Sequence, residues 1–316
     1  HKGKPALGRY IIKTFDSQES LKNAFVAGDI TAASDISSIF DDQTTNSENN
    51  FMPVNLTAQT MVFFKTSEGL LSESKLRKAL ALGTNKQEAI AATGDPLHPI
   101  DSPMLNSHFA YSKKITQKTN NPVAAKKILD KAGWKVQADG IRTKKKARLS
   151  FNLYVNDSNE HKAVADKLKE QWRKIGVELN VVVENEESRQ STIATHSYDA
   201  LLNSISVGAD PDVYAFWHSS QFDPRLKTRL NFAEYKSKNA DASLEGGRSR
   251  TDTKLRTVKY QPFLNAWVAD NPAVALYRPQ FVFLVSGELE GFTVKNMVNI
   301  SDKYVDIENW KIRKER

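Results

Sequence analysis

Four consecutive stretches decide the fold of this chain: 149–156 (LSFNLYVN), 160–175 (EHKAVADKLKEQWRKI), 177–184 (VELNVVVE) and 198–212 (YDALLNSISVGADPD). In the first, Leu149, Phe151, Leu153 and Val155 alternate with Ser150, Asn152, Tyr154 and Asn156. A period of two turns one face of a strand toward a core. In the second, Val164, Leu168, Trp172 and Ile175 fall on one helical stripe, with charge elsewhere. Gly176 stands where a helix C-cap needs positive φ. Val177, Leu179, Val181 and Val183 then alternate again. Two strands joined by a helix of this length form a parallel, right-handed crossover. The strand that begins at Tyr198 opens into the turn 208–212 (GADPD). Open α/β sheets bind ligands where such strands end, so that turn is the first candidate site.

The chain has 316 residues, 40% apolar and 26% charged. That length predicts about two soluble globular domains with sizeable cores. No apolar run approaches the ~20 residues needed to span a bilayer. The first residues, HKGKP, have no hydrophobic segment of the kind a signal peptide carries, which reads as a mature or shortened chain. Cysteine is absent, which excludes disulfides, thiolate nucleophiles and zinc–thiolate sites.

The net charge is +8, and residues 110–150 hold most of the bias: Lys113, Lys114, Lys118, Lys126, Lys127, Lys131, Lys135, Arg142, Lys144, Lys145, Lys146 and Arg148, against Asp130 and Asp139. A nucleic-acid reading requires aromatic residues interleaved on the same face. Here Trp134 follows a helix-ending Gly133, and Lys144–Lys146 falls in a turn. The stretch therefore reads as a solvated edge, or one facing anionic lipid.

Elsewhere the sequence predicts a strand over 8–15 and a helix over 17–27. Asp41–Asn50 reads as a polar loop and 60–64 (TMVFF) as a buried strand. Residues 74–82 read as a helix, Asn85 with Glu88 as a capping box, and 95–103 as an extended crossover. Asn121-Pro122 opens a helix through Ala132. Residues 213–219 form a short helix, 222–250 are irregular, 253–269 are helical, and 273–277 and 281–285 are strands. There is no internal repeat.

Catalytic signatures are missing. There is no Gly-x-Gly-x-x-Gly, no Walker-type phosphate loop and no Gly-x-Ser-x-Gly elbow. The six histidines never pair at metal-ligand spacing. His98 and Asp101 lie among prolines and read as structural. Glu184, Glu186 and Glu187 read as a strand end followed by a polar loop rather than acid/base machinery. No catalysis, no cofactor and no metal is expected.

Several segments, in order, resemble the family 5 extracellular solute-binding proteins of ABC importers, the oligopeptide- and dipeptide-binding group. Residues 121–134 (NPVAAKKILDKAGW) are similar to that family's A-x-x-L-L-x-x-A-G-W helix, and 139–142 (DGIR) to the turn that follows it. Residues 21–32 (LKNAFVAGDITA), 76–90 (LRKALALGTNKQEAI), 172–177 (WRKIGV), 210–212 (DPD) with 217–220 (WHSS), and 271–277 (NPAVALY) match further family elements. The resemblance spans nearly the whole chain.

The resemblance implies an α/β fold of the periplasmic-binding-protein-like type II kind, a mixed sheet flanked by helices. Residues 62–285 would be the C-terminal solute-binding lobe, and 1–61 and 286–316 returning pieces of the N-terminal lobe. Family members are usually much longer, and the first residues resemble a point near their middle. The expectation is therefore a C-terminal portion without the signal or lipoprotein segment. The implied role is non-enzymatic: capture of peptides or similar elongated solutes in an interlobe cleft, and delivery to permease transmembrane subunits. The implied location is the periplasm or the extracellular face of the bacterial cytoplasmic membrane. Membrane contact would come only through a lipid anchor or permease docking outside this chain, with no nucleic acid. The alternative is a basic module binding nucleic acid or an anionic surface.

For the site, the resemblance points to Ser204, Ile205, Ser206, Val207, Asp210, Trp217, Asn231 and Tyr235. In peptide binders of this family an Asp three residues before the Asp-Pro-Asp turn pairs with the peptide amine; Val207 stands there. An apolar side chain cannot stabilise a desolvated ammonium, so either Asp210 or another acid substitutes, or the ligand has no free amine. The backbone of Ile205 and Val207 could still pair with an extended peptide by strand addition. Ser204, in place of a family aromatic, suggests a roomier site. Asp210-Pro-Asp212 also reads as an ordinary turn and N-cap.

Overall fold

The computed structural model describes residues 5–34 and 49–313. Along them run α1 (Gln18–Val26), β1 (Ala32–Ser34), β2 (Asn49–Leu56), β3 (Ala58–Phe64), α2 (Ser74–Gly83) and α3 (Lys86–Ala91). Next come β4 (His98–Pro99), α4 (Pro122–Lys131), β5 (Lys135–Val136), β6 (Arg142–Lys144) and β7 (Ala147–Arg148). The central run is β8 (Ser150–Asn156), α5 (Asn159–Arg173), β9 (Glu178–Glu184), α6 (Glu186–Thr195) and β10 (Ala200–Ser206). The rest is α7 (Tyr214–Trp217), α8 (Lys238–Arg248), α9 (Thr253–Asp270), β11 (Ala273–Arg278), β12 (Gln280–Ser286), β13 (Glu288–Glu290), β14 (Asn296–Met297) and β15 (Lys311–Arg313).

The chain divides into two compact units, 58–278 and the pair of segments 1–57 and 279–316. These boundaries lie a few residues before the expected 62 and 285. The whole of β3 belongs to the large sheet, and the whole of β12 pairs with β2 in the smaller unit.

In the larger unit a six-stranded mixed sheet has the order β4-β11-β3-β10-β8-β9. β8 and β9 are parallel in the register Phe151↔Leu179 to Val155↔Val183, as the opening stretch predicts. One face carries Val62, Phe64, Leu153 and Leu202 under α2 to α5; the other carries Met61, Phe63, Leu201 and Ile205 under α7 to α9. With both faces covered, β3 is buried at every residue, which is why it reads as a continuous apolar run.

The predicted stripe on α5 is buried in the first of these cores. Trp172 is fully buried, and its indole N–H donates to the Leu80 carbonyl (3.2 Å) and Thr84 Oγ1 (3.0 Å). Burying each large apolar side chain contributes roughly 1.5–3 kcal/mol. Gly176 has φ +90°, and a Cβ there would lie 2.6 Å from Arg142 Cγ. Both backbone and space demand glycine.

In the smaller unit, β1, β12, β2 and β14 form a four-stranded sheet in that order. Val54, Phe281, Phe283, Val285, Met297 and Trp310 make its core, while Phe25 of α1 packs with Ala33 and Leu284.

Several expectations differ from the structure. Residues 8–15 form no strand. Of the expected loop 41–50, residues 41–48 lie outside the described residues, and Asn49 and Asn50 begin β2. Residues 185–195 are not a loop: Asn185 caps α6, accepting from the Ser188 amide. That helix lacks an apolar stripe, so periodicity could not reveal it. The irregular stretch 222–250 contains α8, despite two glycines of poor helix propensity. The glycines permit close packing on α9: a Cβ at Gly247 would lie 2.4 Å from Tyr260 Cε1.

Candidate solute-binding site

The chain leaves β8 through α5 to reach β9 on one side, then returns through α6 to β10 on the other. In open α/β sheets such a reversal marks the carboxyl ends of the flanking strands, here β8 and β10, as the place where a ligand would bind. The two strands pair only at Ala200↔Leu153 and Leu201↔Tyr154, so β10 runs on past its neighbour.

Backbone alternation then decides which groups of β10 remain open. The Lys65 amide donates to the Asp199 carbonyl (2.9 Å), and β10 continues antiparallel to β3 through Ile205↔Gln59. Asn203 and Ile205 therefore direct their main-chain groups to β3, and the even-numbered residues direct theirs the opposite way. Consistently, the Leu202 carbonyl accepts from Arg189 Nη2 (2.8 Å). The expected edge thus moves by one residue: Ser204 and Ser206, not Ile205, present open N–H and C=O groups.

Side chains separate in the same way. Ser204 and Ser206 are exposed, and Ser204 Oγ lies 2.8 Å from Thr60 Oγ1. Ile205 and Val207 are buried in the opposite core, with Trp217 and Phe263. Val207 is therefore core, not a ligand wall with a missing acid. Trp217 is fully buried, its ring 5.6 Å from both Phe63 and Trp267. Buried Asn231 staples a loop, its amide donating to the carbonyls of His218 (3.0 Å) and Tyr235 (2.9 Å). Tyr235 is also buried, and its hydroxyl donates to Asp270 Oδ2 (2.7 Å).

Asp210 is engaged as well. Arg256 donates to both its oxygens (2.6 and 2.7 Å), and the Asp212 amide donates to Oδ1 (2.9 Å). The Arg256 hydrogen bond holds this carboxyl below its usual pKa. His108 Nε2, 3.0 Å from the Gly208 carbonyl, fastens the start of the turn. Asp210 is thus the turn's anchor rather than a free acid awaiting an ammonium.

Buried or half-buried polar residues lie near these strand ends, and all but Glu184 went unremarked in the sequence. Buried Arg189 reaches Leu202 and Asn203 Oδ1 (2.8 Å each), while its Nη1 has no partner. His161 is buried, and desolvation, reinforced by Arg189, lowers its pKa to about 4, so its imidazole is neutral. Glu160 Oε1 accepts from the Tyr277 hydroxyl (2.6 Å), and burial raises its pKa. Glu184, from the acidic cluster, is buried and accepts from Thr192 Oγ1. His161 and Glu160 were visible as the first turn of a helix after a strand; nothing in the sequence marked Arg189. Among the described residues no group of three or more His, Asp or Glu could hold a metal.

A cavity of about 830 Å³ lies elsewhere, in the smaller unit, between the extended segment 7–16 and β1. None of the expected site residues lines it. No helix among the described residues is long and apolar enough to cross a membrane.

The geometry can be set beside known proteins. The oligopeptide-binding protein AppA of Bacillus subtilis (strain 168) is 26% identical over 300 residues, covering 92% of this chain and 54% of its own length. The solved structure of Bacillus subtilis AppA with a nonapeptide superposes with a TM-score of 0.78 at 23% identity, over 94% of this chain and 59% of that one. NikZ from Campylobacter jejuni in complex with Ni(L-His) gives 0.81 at 22% identity, over 94% and 60%. The chain therefore spans little more than half the length of these proteins. The expected mixed α/β fold of the periplasmic-binding-protein kind is the fold they share. Residues 1–224 match the sequence profile of the bacterial extracellular solute-binding proteins, family 5 Middle. A match over that share of the chain establishes what the motifs implied: this chain belongs to the bacterial extracellular solute-binding proteins, family 5.

Proposed function

We propose that this chain supplies one wall of a solute-binding protein serving an ABC importer at the periplasmic or extracellular face of a bacterial membrane. The wall takes a peptide, or a similarly elongated solute, by strand addition and passes it to permease subunits. The observation that carries this reading is the open main-chain edge at Ser204 and Ser206, at the carboxyl ends of parallel strands. An added strand needs N–H and C=O groups, not particular side chains. The remaining expected residues act behind that edge: Ile205, Val207 and Trp217 pack it, while Asp210, Asn231 and Tyr235 hold the turn and loops that follow.

No acid of the turn is free for a peptide amine, so the solute is bound here without a required free amino terminus. The test is a thermal-shift screen of the full-length protein with matched peptides: free, N-acetylated, and N-methylated along the backbone. A ligand at 100 times its Kd stabilises the folded state by about 2.7 kcal/mol. Free and acetylated peptides should shift the melting temperature alike, and N-methylated ones should not. Because AppA and NikZ are described with a nonapeptide and with Ni(L-His), the screen includes peptides, a nickel–histidine chelate and sugars. A screen with no shift from any peptide would refute the reading.

A further inference from the structure

The strongest net positive charge of this chain lies in one stretch. Residues 110–150 carry twelve basic and two acidic side chains, a net of +10, whereas the whole chain carries +8. All other residues together sum to −2.

Much of this stretch forms one structural module, α4 followed by the meander β5-β6-β7. Arg142, buried, ties it together: Nη1 donates to the Trp134 carbonyl (2.7 Å) and to Asp130, and Nε donates to the Ile175 carbonyl (2.8 Å). Every nearby carboxylate is spent on such a contact. Asp130 pairs with Arg142, and Asp139 with Arg148 (2.6 Å). Glu178 pairs with Arg148 (2.7 Å), and Glu73 with Lys144 (3.0 Å).

What is left over is lysine. Lys126, Lys127 and Lys131 on α4, Lys135 on β5, and Lys145 and Lys146 at the β6–β7 turn are all exposed, with no ion-pair partner among the described residues. α2, packed against α4, adds exposed Lys75 and Lys78. Val123 (62% exposed) and Val136 (56%) stand among them.

We propose that this module is a docking face for an anionic lipid surface. The free cations are lysines, compact point charges suited to a diffuse array of headgroups, whereas the arginines that could grip single phosphates bidentately are used internally. Single-stranded nucleic acid would need an exposed aromatic platform; the module's one tryptophan, Trp134, is buried, with Lys144 Nζ 5.7 Å from its ring centre. The exposed valines supply shallow apolar contact at the interface. The inference rests on charge and exposure, not on the solute-binding reading, and it places membrane contact within this chain.

The test is co-sedimentation of the protein with phosphatidylcholine vesicles, with and without about one-third phosphatidylglycerol, across a salt series from about 0.05 M to about 0.5 M. Binding should require phosphatidylglycerol and fall steeply with salt. A single lysine near such a surface is worth about fivefold. The combined substitution Lys126→Gln, Lys127→Gln, Lys131→Gln and Lys135→Gln should lower partitioning at least about tenfold with an unchanged melting temperature. The same number of glutamines at Lys169, Lys238, Lys254 and Lys259 should change it less than about threefold. Equal losses from both sets would mean that net charge alone acts, and would overturn the proposal. So would failure to bind phosphatidylglycerol vesicles, or tighter binding of duplex DNA or polyglutamate at the same salt.

Discussion

Ser206→Pro and Ile205→Pro differ by one position, yet the alternation of β10 predicts opposite outcomes. Proline removes a backbone N–H and is tolerated in a sheet only where that N–H faces an open edge. Ile205 faces β3 opposite Gln59, so Ile205→Pro breaks a ladder bond and strands a buried carbonyl. That costs about 1–3 kcal/mol. Ile205 is also a buried side chain at 3% exposure, and its partial loss adds about 1 kcal/mol or more. The total is at least about 2 kcal/mol, or at least roughly 4–8 °C of melting temperature for a unit of this size. At Ser206 the N–H points to the open side and the side chain is exposed, so Ser206→Pro should cost under about 1 kcal/mol. Differential scanning calorimetry of the two variants reads this directly. A second readout is amide exchange, slow at Asn203 and Ile205 and fast at Ser204 and Ser206. If Ser206→Pro were as destabilising as Ile205→Pro, the assignment of the open edge would be wrong, and the strand-addition site with it.

Three further outcomes follow from the packing. Val207→Asp puts a carboxylate into the core beside Trp217 and should destabilise by about 3–5 kcal/mol near neutral pH; urea titration should show the loss easing as the pH falls from neutral toward about 4 and levelling off below it, where the acid is neutral in both states. Glu234→Gln tests a buried network: burial alone would raise the Glu234 pKa, but hydrogen bonds from His196 and Ser67 and the charge of Lys65 lower it to about 2. A depressed folded pKa contributes stability above the unfolded value near 4.3 and loses it as the pH falls toward 2. The wild-type advantage over Glu234→Gln, about 1–2 kcal/mol once solvent screening is allowed for, should therefore vanish across that window in acid-denaturation curves. Arg142→Gln leaves the Trp134 and Ile175 carbonyls without their donor, should cost at least about 3 kcal/mol, and should deprotect the amides of β5 and β6 in hydrogen exchange.

How much of this was legible in the sequence depended on which force shaped each element. β8, α5 and β9 have one covered face or stripe, so their apolar spacing states the fold. α6 and α8 are held by caps and by close helix contact, and their composition hides them. The site divides similarly. Where to look for it could be argued from the sequence, because parallel strands must end somewhere and the turn 208–212 marks that end. Its chemistry could not, because a family aligned by side chains suggests an acid at 207, while burial depends on which face an odd-numbered residue of β10 takes. A one-residue difference in alternation exchanges core for edge. Arg189 escaped notice for a different reason: its partners, Leu202 and Asn203, lie on the next strand and announce nothing at a distance of thirteen residues.

Arg189 also limits what this wall can do alone. By occupying the Leu202 carbonyl it ends the open edge, leaving Ser204 and Ser206, each with one N–H and one C=O, to receive an added strand. Four hydrogen bonds at about 0.5–1.5 kcal/mol each give about 2–6 kcal/mol. Micromolar binding needs about 8.2 kcal/mol net, and association itself costs several kcal/mol more. On the proposed reading the edge would orient a solute without holding it. Tight binding must draw the larger share from contacts beyond this strand, which is why a screen for the solute belongs on the full-length protein. For the same reason, loss of the edge by Ser206→Pro should weaken a peptide by only about 2- to 12-fold rather than abolish its binding.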